Sequence, residues 1–146
     1  MANSDNTQGG FTGVYDSSNT TITIDGKPIF GFKAGSDLFQ FARNSDNVTV
    51  ETDSNGDSVA SKNNKKSGTV TINLNQTSPA NALLVDLCER KADFPIDIAS
   101  DTEHIYGPHC YIAREPETSG AESASVRAWQ IHILKATYET ELTYQA

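Results

Sequence analysis

Residues 69–91 read TVTINLNQTSPANALLVDLCERK, and the pattern changes period halfway along. Over the first seven positions Val70, Ile72 and Leu74 alternate with Thr69, Thr71, Asn73 and Asn75. A period of two puts the apolar set on one face of a strand. Ser78 then offers an N-cap, and Pro79 fits the first helical position, where its missing N–H costs nothing. Ala80, Leu83, Leu84, Leu87 and Cys88 follow at helical spacing as one apolar stripe. Arg90 and Lys91 close the last turn, where cations complement the helix dipole. The stretch predicts a strand and then a flanking helix over about residues 79–91 that lies across a sheet.

Working outward, the strand period recurs. Ile22 and Ile24 alternate with Thr21, Thr23 and Asp25, and Asp25-Gly26 predicts a hairpin turn from which Ile29 and Phe30 return. Phe39 and Phe41 share a face across Gln40, and Val48 and Val50 repeat the alternation. Phe94, Ile96 and Ile98 form another run. Ile105 and Tyr106 lead to a turn expected at Gly107-Pro108, with Cys110 and Ile112 beyond it. Residues 114–124 read as a polar loop. Trp129, Ile131 and Ile133 then face one way, with Gln130 and His132 facing the other, and Leu142 and Tyr144 suggest a last strand. The expected core joins Trp129, Ile131 and Ile133 to Val70, Ile72 and Leu74 under Leu83, Leu84 and Leu87.

Two segments fall outside this pattern. Residues 51–68, ETDSNGDSVASKNNKKSG, hold only Val59 and Ala60 as apolar side chains, so they read as a long hairpin loop. Residues 1–19 are mostly Asn, Ser, Gly, Thr and Asp and read as a flexible N-terminal arm, leaving 20–146 as a single domain.

The 146 residues suit one domain, and 36% hydrophobic content is enough for a core. Fifteen Thr, fourteen Ser and eleven Asn favour strands and turns, so a β-rich domain is expected. A formal charge of −8 argues against gripping nucleic acid by its phosphates, which takes clustered Lys and Arg. No apolar run reaches membrane-span length, and MANSDNTQGG has no secretory pattern, so a soluble product of a cytoplasm is expected. Cys88 and Cys110 are too few for a disulfide framework and read as reduced, half-buried thiols.

Catalytic chemistry finds no footing. His104, His109 and Cys110 match no compact zinc spacing, and adjacent His109 and Cys110 point to opposite faces of a strand. There is no G-x-S-x-G elbow, and Gly9-Gly10 and Gly31 make no phosphate cradle. The reading is a non-enzyme, with no catalytic residue, metal or cofactor. The one basic concentration, Lys62-Asn63-Asn64-Lys65-Lys66, reads either as a solvated loop tip or as a patch that docks on acidic surface of another copy.

The order of features adds to this. The run from TITIDGKPIFGF through SKNNKKSGTVTINLNQTSPANALL to RAWQIHILKA resembles tail-tube proteins of contractile-tailed bacteriophages, over about residues 14–138. The most specific piece is KSGTVTINLNQTSPAN at residues 66–81. The resemblance implies two packed antiparallel sheets forming a β-sandwich or barrel with one flanking helix, similar to the hemolysin-coregulated protein of type VI secretion. It implies self-assembly into stacked, commonly hexameric rings, a virion tail location after assembly in the host bacterial cytoplasm, and a conduit for DNA ejection without specific DNA binding. It also implies sheath, baseplate and tail-terminator partners, and no membrane. In such relatives the long hairpin loop reaches a neighbouring subunit or ring. The interface candidates here are therefore Asp53, Ser54, Asn55, Asp57, Lys62, Asn63, Asn64, Lys65 and Lys66. The competing readings are a monomeric β-sandwich binding module of adhesin or carbohydrate-binding type, and another virion protein of the head decoration or baseplate. Trp129 on the apolar face of its strand disfavours a carbohydrate site.

Overall fold

A computed structural model describes residues 13–143. Strands β1 (Thr21–Ile24) and β2 (Lys27–Pro28) form a hairpin, followed by β3 (Phe39–Arg43), β4 (Val48–Thr52), β5 (Ser58–Lys62) and β6 (Gly68–Asn75). Helix α1 (Ala80–Glu89) comes next, then β7 (Phe94–Ala99), β8 (Glu103–Ile112), β9 (Val126–Ile133) and β10 (Thr137–Thr140). Eight strands make one antiparallel sheet in the order β2-β1-β7-β8-β9-β6-β3, with β10 also on β8, while β4 and β5 pair only with each other.

The ten-residue β8 shapes the large sheet. One edge takes β7, and the other takes β10 at its start (Tyr106↔Thr137) and β9 at its end (Cys110↔Ile133). On its other edge β9 pairs with β6 along its whole length, from Gly68↔Ile133 to Asn75↔Val126. The sheet therefore forks at β8 and curls around its own inward face. Ile22, Ile24, Val70, Ile72, Leu74, Phe94, Ile96, Ile98, Ile105, Cys110, Trp129, Ile131 and Ile133 form one buried cluster there with Ala80, Leu84 and Leu87 of α1. Leu83 is half-buried against it. The expected core is present.

The fold is mainly β with two antiparallel sheets and one flanking helix, and three finer expectations need correction. No sheet closes into a barrel: the large sheet ends at β2 and β3, and no ladder joins them. Nor is the smaller sheet a facing layer, because every residue of β4 and β5 is exposed. The single long loop expected over 51–68 is broken by strand: Glu51 and Thr52 end β4, residues 53–57 turn, Ser58–Lys62 form β5, and only residues 63–67 connect β5 to β6. Cross-strand pairing of polar residues forms that ladder without a buried face.

The helix is shorter than 79–91. Ser78 is buried, donates to the Phe30 carbonyl and accepts from the Ala80 N–H at 3.2 Å, and the helix runs from Ala80. At the other end Lys91 takes φ +53. Its N–H reaches Cys88 O at 3.2 Å and that of Ala92 reaches Leu87 O at 3.1 Å, the double closure of a Schellman motif. Gly107-Pro108 is not a turn but lies inside β8, at a register shift against β7 between Phe94 and Ile96. A bulge is where a strand tolerates proline. A Cβ on Gly107 would meet Ile133 Cγ2 at 2.4 Å, which is why glycine stands there.

The Asp25-Gly26 turn has positive φ at both residues (54 and 75), as a two-residue hairpin turn requires, though the return strand is only Lys27–Pro28. The last strand is β10; Leu142 is exposed outside it and Tyr144 lies beyond the described residues. Of the stretch read as an arm, residues 1–12, which include Gly9-Gly10, also lie outside the described residues. Asp16 and Asn19 are held to Asp101, by Asp16 N–H to Oδ2 at 2.8 Å and Asn19 Nδ2 to Oδ1 at 2.9 Å.

Candidate subunit interface

β3 and β6 continue outward into β4 and β5 as one long double-stranded arm. Its base is tied by Asn44 N–H to Ser67 O at 3.2 Å and Asn63 N–H to Asn47 O at 2.7 Å. Arg43, packed with its guanidinium 5.4 Å from the centre of the Phe41 ring, donates to Lys66 O at 2.6 Å and Ala136 O at 2.8 Å. These bonds fix where the arm leaves the sheet.

At the far end the Asp53 carboxylate organises the turn. Its Oδ1 accepts from the N–H of Asn55 and of Asp57, each at 2.9 Å, and Gly56 supplies φ +88. Asp57 O accepts from Asp53 N–H at 2.8 Å. Register fixes the faces. Val48↔Lys62, Val50↔Ala60 and Thr52↔Ser58 share one side, and Thr49↔Ser61 and Glu51↔Val59 the other. Val48, Val50 and Val59 are exposed at 47%, 64% and 61%. An isolated two-stranded hairpin is marginal in water, and these valines have no cover of their own chain among the described residues.

The nine candidate residues divide into two groups. Asp53, Ser54, Asn55 and Asp57 make the turn, with the Glu51 carboxylate beside it. Lys62, Asn63, Asn64, Lys65 and Lys66 lie at the base, where Asn63 Oδ1 accepts from Lys65 N–H at 2.9 Å. Four strand residues, 58–61, separate Asp57 from Lys62, a span of about 17 Å at strand rise. The arm is therefore polarised, acidic at its tip and basic at its root. All three lysines are exposed and none has an ion pair among the described residues. The sequence reading leaves Val48, Val50 and Val59 out of the interface candidates because V-x-V reads as a core strand.

A second open feature lies between β3 and β10. Phe41 stacks on Tyr138 with ring centres 6.2 Å apart, and beside them a cleft of about 300 Å³ is lined by Tyr15, Leu38, Phe39, Glu103 and Ile105. The Tyr138 hydroxyl donates to the Glu103 carboxylate, which holds the phenol above its usual range. His104 and His109 are bound into surface pairs. His104 Nε2 is 2.9 Å from Asp97 Oδ1, and His109 Nδ1 is 2.7 Å from Asp93 Oδ2. Among the described residues no group of three His, Cys, Asp or Glu side chains could hold a metal ion. No helix there is long and apolar enough to cross a membrane.

Residues 14–137 match the family model described as Bacteriophage PhiTE tail tube protein. The chain belongs to this tail-tube family. As a tail-tube protein it is a structural component of the virion tail and not an enzyme. No curated protein matches it. Among solved structures it is similar to the sheath/tube terminator of the PVC extracellular contractile injection system in its extended state. That likeness has TM-score 0.57 at 10% identity, covering 88% of this chain and 98% of that one. It is also similar to a chain of the PVC sheath-tube complex, with TM-score 0.55 at 11% identity, covering 87% and 92%. A third similar structure is the anti-feeding prophage tube-terminating cap, with TM-score 0.52 at 11% identity, covering 88% and 93%. These likenesses show the tail-tube protein's fold.

Proposed function

We propose that this tail-tube protein is the repeating subunit of a contractile phage tail. It assembles in the host cytoplasm into rings, six subunits to a ring as the family resemblance implies, and the rings stack into a conduit for DNA ejection. Sheath, baseplate and terminator proteins bind the finished tube. The supporting observation is the β4–β5 arm, whose ten strand residues are all exposed and whose valines lack cover. A head-to-tail interface that closes gives a ring, and the unpaired edge of β3 offers N–H and C=O groups for sheet extension into a neighbour. That extension completes across subunits the wall that the single sheet leaves open. The acidic tip of one arm, Asp53 and Asp57, faces the lysines at the root of the next copy's arm.

Electron microscopy of the purified protein tests this reading: rings or tubes are expected, and dispersed monomers at high concentration would favour a binding module instead. Replacing residues 53–62 by a short Gly-containing turn should leave a folded monomer that makes no tubes.

A further inference from the structure

We propose that the cleft between β3 and β10 is a receptor for a lysine side chain of a neighbouring copy; this rests on the tube reading above and adds a second joint to it. The cleft holds about 300 Å³, and four of its lining side chains are aromatic: Tyr15, Phe39, Phe41 and Tyr138. Two more, Asp37 and Glu103, are carboxylates. Three parts of the chain bring these groups together. Phe39 and Phe41 stand on β3 just after Asp37, Glu103 and Tyr138 on the paired strands β8 and β10, and Tyr15 ahead of β1. The walls are held in place. Phe41 stacks on Tyr138, the Tyr138 hydroxyl donates to Glu103, and Asp16, next to Tyr15, is bonded to Asp101.

The two carboxylates lack a counter-charge. Asp37 Oδ2 accepts from Gln40 Nε2 at 3.0 Å and Glu103 Oε2 from the Tyr138 hydroxyl, both neutral donors. Neither carboxylate has an ion pair among the described residues. All eleven Lys and Arg of the chain are described, and none lines the cleft. Arg43, which sits over the Phe41 ring, donates to Lys66 O and Ala136 O instead. A cation for this site therefore comes from another molecule.

The chemistry of the walls selects it. Aromatic rings attract an ammonium placed within about 6 Å of their centres, and the carboxylates add direct Coulomb attraction. Leu38 and Ile105 give the methylene stem an apolar surface, as a long cationic side chain requires. The volume stands at the low end for ligand pockets, which suits a single side chain. An apolar side chain is the competing occupant, but its entry would strip water from two carboxylates and give nothing back. Lysine matches what a second copy has to offer. Arg43, Arg90 and Arg127 are hydrogen-bonded within their own chain, whereas Lys91 and Lys135 are exposed, outside the arm, and without an ion pair among the described residues. β3 walls the cleft and also carries the unpaired sheet edge, so a copy seated on that edge would stand at its mouth.

The test is zero-length carbodiimide crosslinking, which joins a carboxylate to an amine in contact with it, in tubes assembled from mixed isotope-labelled and unlabelled chains. Microscopy first shows whether the wild-type chain makes tubes; if it makes none, the tube reading fails and the receptor falls with it. In tubes, mass spectrometry should find Glu103 or Asp37 joined to a lysine of a differently labelled chain, and dissociated chains should give no such link. Links from these carboxylates within one chain only, or none at all, overturn the proposal and leave the tube reading standing. Asp37→Asn with Glu103→Gln removes both charges and keeps an acceptor for Gln40 and for Tyr138. With its thermal unfolding close to wild type, this double variant should need a several-fold higher concentration to form tubes. An unchanged threshold overturns the proposal, and if the variant does not fold the crosslink alone decides.

Discussion

Asn81 does more than its place in a helix would suggest. Its Oδ1 accepts the indole N–H of buried Trp129 at 2.9 Å, and its Nδ2 donates to the carbonyls of Asn75 and Ser78, each at 3.0 Å. One amide thus ties the start of the helix, the end of β6 and the largest core side chain together. Asn81→Ala leaves a buried indole donor without a partner, which should cost about 1–3 kcal/mol in urea unfolding. Asn81→Asp, which keeps an acceptor for Trp129, should recover part of that loss. Cys110 gives a pH dependence. Burial pushes its thiol from the usual value up to about 12, with Asp93 adding in the same direction. Between pH 9 and 12 the unfolded chain loses this proton while the folded chain keeps it, so stability falls as pH rises. The slope from this one group should approach about 1.4 kcal/mol per pH unit. Cys110→Ala should be less stable at pH 7 yet show a shallower decline over that window, as measured by thermal unfolding at each pH.

At the scale of elements, α1 tests how the core is shared. Leu84 is fully buried between the helix and the sheet, so Leu84→Ala should cost about 2–5 kcal/mol. A change within about 0.5 kcal/mol would show that the helix does not contribute to the sheet's core. Lys91 closes the helix in the left-handed region, where a Cβ is strained; Lys91→Gly should stabilise by about 0.5–1 kcal/mol despite the added freedom of the unfolded chain. What was legible in the sequence follows from these same forces. Val70, Ile72, Leu74, Trp129, Ile131 and Ile133 announced their burial because each strand has one dry face and one wet face. Asp25-Gly26 announced its turn because few other pairs accept two positive φ values. Gly107-Pro108 carried the same kind of signal and misled, since the close approach of Ile133 that demands the glycine comes from a strand far along the chain. β4 showed itself in the Val48 and Val50 alternation, but its partner β5 was hidden for the opposite reason. With no buried face of its own, Ser58–Lys62 leaves no alternation deep enough to distinguish a strand from a polar loop.

The whole molecule carries −8, and where that charge is reversed bears most on assembly. Lys62, Lys65 and Lys66 gather at the root of an arm whose tip holds Asp53 and Asp57. In the head-to-tail arrangement proposed above, tip would meet root, and each such exposed ion pair is worth only about 0–1 kcal/mol. Repetition around every ring makes the sum matter, and screening within about 8 Å at physiological ionic strength makes it salt-sensitive. Assembly of the wild-type chain should therefore weaken as salt rises, as followed by light scattering or sedimentation. Lys62→Glu, Lys65→Glu and Lys66→Glu together should impair assembly most at low salt, where like charges at the joint repel most strongly. Adding Asp53→Lys and Asp57→Lys to that chain restores opposite signs at tip and root and should recover tubes, provided the turn still closes without the Asp53 carboxylate; Asn in place of Asp53, with Lys kept at 57, guards against that loss. Normal assembly of the triple lysine reversal at low and high salt alike would reduce the basic cluster to a solvated stretch of chain and leave the exposed valines as the only adhesive part of the arm.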